Sequence, residues 1–179
     1  MHKINESVRK RHIRKATPYD LPALTGIKPP MALHRDRIHD ADGDDLLYLV
    51  IEENSNIIGF GLLVFRIPST WPDPDDPSCL PALVDLFIKP NCRGLGAGSF
   101  LIDYMENIAW NRDSQRIFLE VDPVANPRAY HLYLRRGYVP IQKKPYKSHW
   151  EFTDSDGHLH EGDEWKVDMV KEFIPSLFL

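Results

Sequence analysis

Between Phe87 and Ser99 the chain reads Phe87-Ile88-Lys89-Pro90-Asn91-Cys92-Arg93-Gly94-Leu95-Gly96-Ala97-Gly98-Ser99, with three glycines at alternating positions beside an arginine. Glycine lacks a Cβ, so such a backbone can curl until several N–H groups point into one hollow, and a helix starting there adds its own amides. That hollow suits a phosphate or pyrophosphate. A P-loop would need Gly-Lys-Ser/Thr after four spacer residues, and no such lysine follows. A dinucleotide fingerprint is the nearer rival. Ser99 is tolerable where that motif wants a small residue, and Glu120 supplies an acid about twenty residues on. Against it, the turn lies mid-chain, with too little sequence after it to build a doubly wound sheet.

Other reactive residue types read more plainly. Asp156, His158, His160 and Glu161 could ligate a metal, but they share a glycine-containing polar stretch where solvated side chains are the commoner outcome, and no metal is expected. Cys79 and Cys92 make neither a metal pattern nor a disulfide framework, and Cys92 reads as packing. Trp71 and Trp150 are large enough to floor a pocket.

The elements that must position the turn follow from period and punctuation. Residues 12–16 read as a strand. Thr17-Pro18-Tyr19-Asp20 then opens a helix running to Gly26, with a capping hydroxyl, proline first and an acid third. Pro29-Pro30 breaks the chain before a weaker helix over 31–39. Residues 46–53 and 57–66 are apolar and β-rich around Asn54-Ser55-Asn56, which predicts a hairpin. The proline-rich stretch 68–81 can be neither helix nor central strand. A strand over 82–89 leads into the glycine turn. An amphipathic helix covers 96–110, with Phe100/Tyr104/Ile108 and Leu101/Met105/Ala109 as stripes. A strand over 116–121 follows, then a helix opened by Asn126-Pro127 and closed by Gly137. Two last strands are expected over 138–143 and 164–173, joined by a polar, acidic connection over 147–163. The order is β-α-α-β-β-β-α-β-α-β-β: a basic tail over 1–11, then a single domain over 12–179.

Composition bounds the rest. A chain of 179 residues, 42% hydrophobic and 27% charged, is that of one ordinary globular domain. Residues 1–15 hold six of the 22 Lys/Arg and one of the 26 Asp/Glu, which leaves 16 basic against 25 acidic groups elsewhere, a formal −9. A body of that sign repels a phosphate backbone, so nucleic acid is not an expected partner. No apolar run approaches the length of a membrane span, and the N-terminus lacks the apolar stretch of a secretory signal. A reduced, cytoplasmic setting is expected.

Arg93-x-x-Gly96-x-Gly98 is similar to the Gln/Arg-x-x-Gly-x-Gly/Ala motif of the GNAT superfamily of acyl-CoA-dependent N-acyltransferases. Ile13-Arg14-Lys15-Ala16-Thr17-x-x-Asp20-Leu21 resembles that family's first strand and helix, and Asp85-Leu86-Phe87-Ile88 resembles the strand before the motif. Leu119-Glu120-Val121, then Asn126-x-x-Ala129-x-x-x-Tyr133-x-x-x-Gly137-Tyr138, is similar to the later signature. In order across residues 12–173, these pieces imply the GNAT-type fold: α/β (α+β), a mixed and mostly antiparallel sheet flanked by helices. They imply an N-acetyltransferase that takes its acyl group from acetyl-CoA.

The resemblance also implies roles. The pyrophosphate of acetyl-CoA would rest on Arg93, Gly94, Leu95, Gly96, Ala97, Gly98 and Ser99. The pantetheine arm would lie like an added strand along Leu86, Phe87 and Ile88, with Asn126 and Tyr133 touching the pantetheine and the thioester sulfur. Tyr133 is then the acid for the leaving thiolate. Glu120 is one candidate base, displaced by an extra residue within Asp122-Pro123-Val124-Ala125. Asp85 is the other, one position beyond the glutamate of polyamine-type relatives, where Val84 stands here; strand alternation would turn it away unless a bulge corrects it. The implied acceptor is a primary amine: a small amine, an aminoglycoside, an amino acid or a peptide N-terminus. Acids of two connections would border its entrance: Asp73, Asp75 and Asp76, and Glu151, Asp154, Asp156, Glu161 and Asp163. A homodimer is allowed, since many members are dimers. A non-catalytic acyl-CoA-binding module and a nucleotide-dependent oxidoreductase are the alternative readings.

Overall fold

The structure is a computed structural model, and it describes residues 10–41, 43–66 and 81–173. Trp71, Asp73, Asp75 and Asp76 lie outside the described residues. The chain opens with β1 (Arg11–Lys15). Next, the Asp20 carboxylate accepts the Thr17 N–H at 2.7 Å and the Thr17 hydroxyl at 3.0 Å. It also accepts two Arg14 nitrogens at 2.7 and 2.8 Å. The helix expected over 17–26 is shorter than its punctuation implied. Prolines at 18 and 22 withhold amides, so the segment opens as a 3-10 turn (Pro18–Asp20) and continues only as α1 (Leu21–Thr25). The second helix, α2, is Met31–Asp40.

β2 (Leu46–Glu53) and β3 (Asn56–Val64) form the expected hairpin. Asn54 and Ser55 both have positive φ, 52° and 67°, the geometry of a two-residue turn that matches the twist of paired strands. β4 (Ala82–Ile88), α3 (Ala97–Asn111), β5 (Arg116–Val121) and α4 (Pro127–Arg135) follow. After α4 come β6 (Val139–Pro140), β7 (Tyr146–Thr153) and β8 (Leu159–Glu172).

These strands make one eight-stranded sheet in the order β1-β2-β3-β4-β5-β8-β6, with β7 also on β8. β4 and β5 run parallel and the other described pairs antiparallel. Leu101, Ile102 and Met105 of α3 and Tyr133 of α4 pack on one face against Leu49, Leu63, Ile117 and Leu119. On the other face Leu24 of α1 and Ile38 of α2 cover Tyr48, Phe60 and Leu62. Each large apolar side chain buried this way contributes about 1.5–3 kcal/mol. On α3 the stripe Leu101/Met105/Ala109 is the buried one, while Phe100 and Tyr104 are exposed.

The stretch after α4 corrects the sequence expectation. Residues 147–163 are not an irregular connection: β7 and the first half of β8 form a regular hairpin, and the expected strand over 138–143 shrinks to β6. Tyr146, Ser148, Trp150 and Phe152 alternate with Lys147, His149, Glu151 and Thr153, a period of two that high charge conceals. Asp154 makes the turn, its Oδ1 accepting the N–H groups of Asp156 at 3.0 Å and His158 at 2.9 Å.

Candidate active site

The glycine turn ends at Gly96, the N-cap of α3, with φ 82°; Gly94 has φ 75°. Side chains other than glycine rarely adopt this conformation, so the turn rather than crowding demands glycine there. No side chain caps α3, and its first turn carries no acid. Among the described residues, the first amides of this 15-residue helix have no side-chain partner, and its positive end is not neutralised by an acid of its own first turn. These features fit a phosphate group. Arg93 lies elsewhere: its Nε donates to the Ile88 carbonyl at 2.7 Å, and its guanidinium sits 5.1 Å from the centre of the Phe87 ring.

β4 and β5 pair at just two positions, Ala82 with Phe118 and Leu83 with Leu119. Beyond these, among the described residues, the edge of β4 through Leu86, Phe87 and Ile88 has no partner strand on that side. The register against β3 slips between Phe60 and Leu62, which face Phe87 and Val84, so Gly61 stands opposite Asp85 and Leu86. That is a bulge, and it lies at Asp85, whose φ is 46°. Close packing accompanies it: a Cβ on Gly59 would meet the Phe87 carbonyl at 2.4 Å, and one on Gly61 would meet Met105 at 2.8 Å.

The bulge turns Asp85 to the face covered by α1 and α2, where two cations hold it. Lys28 Nζ donates to both carboxylate oxygens, at 2.7 and 2.9 Å, and Arg37 Nη1 lies 2.7 Å from Oδ2. Burial alone would raise the pKa of this carboxyl, but the charges of Arg37 and Lys28 outweigh it and hold it below the usual range. Asp85 is therefore poorly suited to accept a proton. Behind it, Tyr48 and His34 form a buried chain: His34 Nδ1 lies 2.6 Å from the Tyr48 hydroxyl and Nε2 2.5 Å from the Lys28 carbonyl. The carbonyl can only accept, so Nε2 carries the proton and Tyr48 donates to Nδ1. Burial lowers the His34 pKa, consistent with that neutral ring.

Glu120 shares this face, because its neighbours Leu119 and Val121 point into the opposite core. Its side chain is 54% exposed and accepts Lys166 Nζ at 2.6 Å. Tyr133 stands on the α4 side, 7% exposed and edge-on to Tyr138 at 5.7 Å. Burial raises its phenol to about 12, so it remains protonated at neutral pH. Tyr133 and Glu120 thus lie on opposite faces of the sheet, Glu120 one residue beyond the last β4–β5 pair. Asn126 precedes Pro127 at the N-terminus of α4, exposed and without a side-chain cap bond.

The β7–β8 hairpin borders the Glu120 face. Trp150 and Phe152 stack with centroids 6.1 Å apart, and Phe152 on His160 at 4.8 Å. Its tip fastens to α2: Arg35 Nη2 donates to Ser155 Oγ at 2.7 Å and Asp156 Oδ1 at 2.6 Å, while Asp36 accepts the Ser155 N–H at 3.0 Å. The acidic entrance expected from this segment does not form. By alternation Glu151, Glu161 and Asp163 project from the opposite face of the hairpin, Asp154 is buried in the turn, and Asp156 is paired with Arg35. Of the four residues weighed as metal ligands, Asp156 pairs with Arg35, and His158 and His160 lie 3.5 and 2.8 Å from Asp154. Glu161 is exposed beside His149 and Glu151, their ligand atoms within 4.8 Å of one another. An open groove of about 630 Å³ between α4 and the β6–β7 link, lined by Pro123, Tyr130 and Lys143, contains none of the sequence-predicted residues. Lys166 and Arg11 are the contributors that sequence reading missed; Arg11 Nη2 donates to the Leu95 carbonyl across 84 positions of chain, a proximity no local pattern encodes.

With this geometry in place, comparison with known proteins is decisive at one level. The sequence model of the Acetyltransferase (GNAT) family matches residues 15–138. The chain belongs to this family. Its GNAT fold is shared with the ribosomal-protein-S18-alanine N-acetyltransferase of Escherichia coli at TM-score 0.63 and 16% identity, covering 95% of this chain and 100% of that one. It is shared with the ribosomal-protein-alanine N-acetyltransferase of Brucella melitensis at 0.64 and 17%, covering 90% and 99%. The PaiA N-acetyltransferase of Thermoplasma acidophilum, solved with coenzyme A, superposes at 0.60 and 18%, covering 92% and 99%. No curated protein sequence matches significantly. Among the described residues, no helix is long and apolar enough to cross a membrane.

Proposed function

We propose that this GNAT protein transfers the acetyl group of acetyl-CoA to a primary amine by direct attack. The observation that carries the reading is the unpaired edge of β4 at Leu86, Phe87 and Ile88, with the uncapped turn of α3 at one end and Glu120 and Tyr133 on opposite sides. A pantetheine arm laid along that edge completes the pairing β5 leaves open. A family neighbour holding coenzyme A supports the same donor, and amine-modifying neighbours support the acceptor class.

The residues then divide the work. The C–N bond forms as the C–S bond breaks. The amine, mostly cationic at neutral pH when its pKa is near 10, gives one proton to Glu120, directly or through water. Its second N–H proton, acidified once the C–N bond has formed, passes to the departing sulfur so that CoA leaves as the thiol. Backbone N–H groups of the β4 bulge face the carbonyl oxygen as negative charge gathers on it. Tyr133 donates a hydrogen bond to the departing sulfur. With its phenol at about 12 against about 8.5 for a thiol, complete proton transfer is roughly 5 kcal/mol uphill, so Tyr133 acts chiefly as donor. Thiol release from acetyl-CoA with a panel of small amines, aminoglycosides, amino acids and peptides tests the proposal. Tight CoA binding with no thiol release from any amine would instead support a non-catalytic acyl-CoA-binding module.

A further inference from the structure

Arg11 reaches the glycine turn from the margin of the sheet. It is the first residue of β1, the edge strand, although the sequence reading assigned it to the basic tail. Its Nε donates to Glu53 Oε2 at 2.9 Å and its Nη2 to the Leu95 carbonyl at 2.7 Å. Two bonds in different directions fix the plane of a guanidinium fork. Nη1 has no partner among the described residues, and it lies 3.5 Å from where a Cβ would stand on Gly96. The side chain is 15% exposed, so this nitrogen is held rather than waving in solvent. Gly96 is also where the uncapped amides of α3 emerge. A fixed cation with free N–H groups therefore adjoins a helix end that already favours an anion.

We propose that Arg11 is a ligand for a phosphate of the donor. From β1 it supplies the charge at the turn that Arg93, folded onto Ile88 and Phe87, does not. The inference rests on the reading that this turn holds the phosphates of acetyl-CoA. The pyrophosphate and the 3′-phosphate offer the same chemistry, and both are within the proposal. Glu53 keeps the fork in place and partly neutralises it, so the site is not a bare cation before the donor arrives.

Calorimetric titration of CoA and of dephospho-CoA, which lacks the 3′-phosphate, tests this on the wild type, Arg11→Met, Arg11→Lys and Glu53→Gln. Arg11→Met should weaken CoA by about tenfold or more and flatten the salt dependence of binding, because a charge-assisted bond is lost. Arg11→Lys should recover part of the affinity as a point charge without the fork. Glu53→Gln should bind CoA as well as or better than the wild type. A loss in Arg11→Met that persists with dephospho-CoA places the contact at the pyrophosphate; one that disappears places it at the 3′-phosphate. CoA affinity within about twofold of wild type in a folded Arg11→Met protein overturns the proposal. So does an equal loss in Glu53→Gln, which would assign the effect to docking of β1. A wild-type chain that binds no CoA would remove the acetyl-CoA reading itself, a separate outcome.

Discussion

Lys166 Nζ lies 2.6 Å from Glu120 Oε2 and 3.3 Å from Glu164 Oε1, so a lysine only 17% exposed orients the Glu120 carboxylate. If Glu120 receives the amine proton, Glu120→Gln should lower kcat by roughly 10²- to 10⁴-fold with the acetyl-CoA KM near wild type. Lys166→Met should lower kcat with the acetyl-CoA KM near wild type, since the carboxylate loses the cation that orients it. Steady-state kinetics across pH check both. Full activity in Glu120→Gln would exclude it as base.

Asp85 is expected to act as a clamp. Asp85→Asn keeps a residue type that tolerates positive φ but strands Lys28 and Arg37, and should cost about 1–3 kcal/mol in stability. Lys28→Met should cost a similar fraction. Denaturant melts measure both. An unchanged melt with a hundredfold loss of kcat would return Asp85 to the role of base.

The pH profile should also report on Tyr133. Because burial places its phenol at about 12, the proton it offers is present throughout the working range and is lost only as pH rises through that value. The wild type should therefore show no basic limb below about pH 11 that vanishes in Tyr133→Phe, while kcat in that variant falls roughly 10- to 10⁴-fold. A Tyr133-dependent limb near neutrality would contradict the buried setting.

Asp20 links pH to stability. Its hydrogen bonds from Arg14, which outweigh burial, hold its carboxyl below the ordinary value. Its stabilising effect is therefore complete above the unfolded pKa of about 3.9 and is lost as pH falls through the lower folded value. Asp20→Asn should be destabilised by about 1–3 kcal/mol at pH 7, and the gap from wild type should narrow below about pH 4. A gap that is constant down to pH 2 would mean the charge is not what matters.

Much of this was readable in the chain, for identifiable reasons. β2 and β5 were bounded correctly because both are dense runs of buried apolar and β-branched residues. The turn into α3 and the Asn126-Pro127 opening of α4 were legible because special backbone geometry selects few residue types. The bulge was raised only as a condition, since no local pattern forces Asp85 into positive φ; its Lys28 partner comes from 57 positions away. The β7–β8 hairpin was missed because Lys147, His149, Glu151, Glu161 and Asp163 made a strand face look like a polar connection.

The position of β8 bears on the order in which the protein can assemble. It is the last described strand in the chain, yet it stands inside the sheet, between β5 and the β6–β7 edge. During synthesis β5 emerges with two paired positions on β4 and an otherwise unanswered far edge, and β6 and β7 emerge with nothing to pair to. Both wait for residues 159–172. A nascent chain halted before that point exposes open strand edges, a ready template for wrong partners. Completion of this half of the molecule is therefore abrupt, and shortening the chain into β8 should remove the fold's second half as a unit rather than fraying it residue by residue.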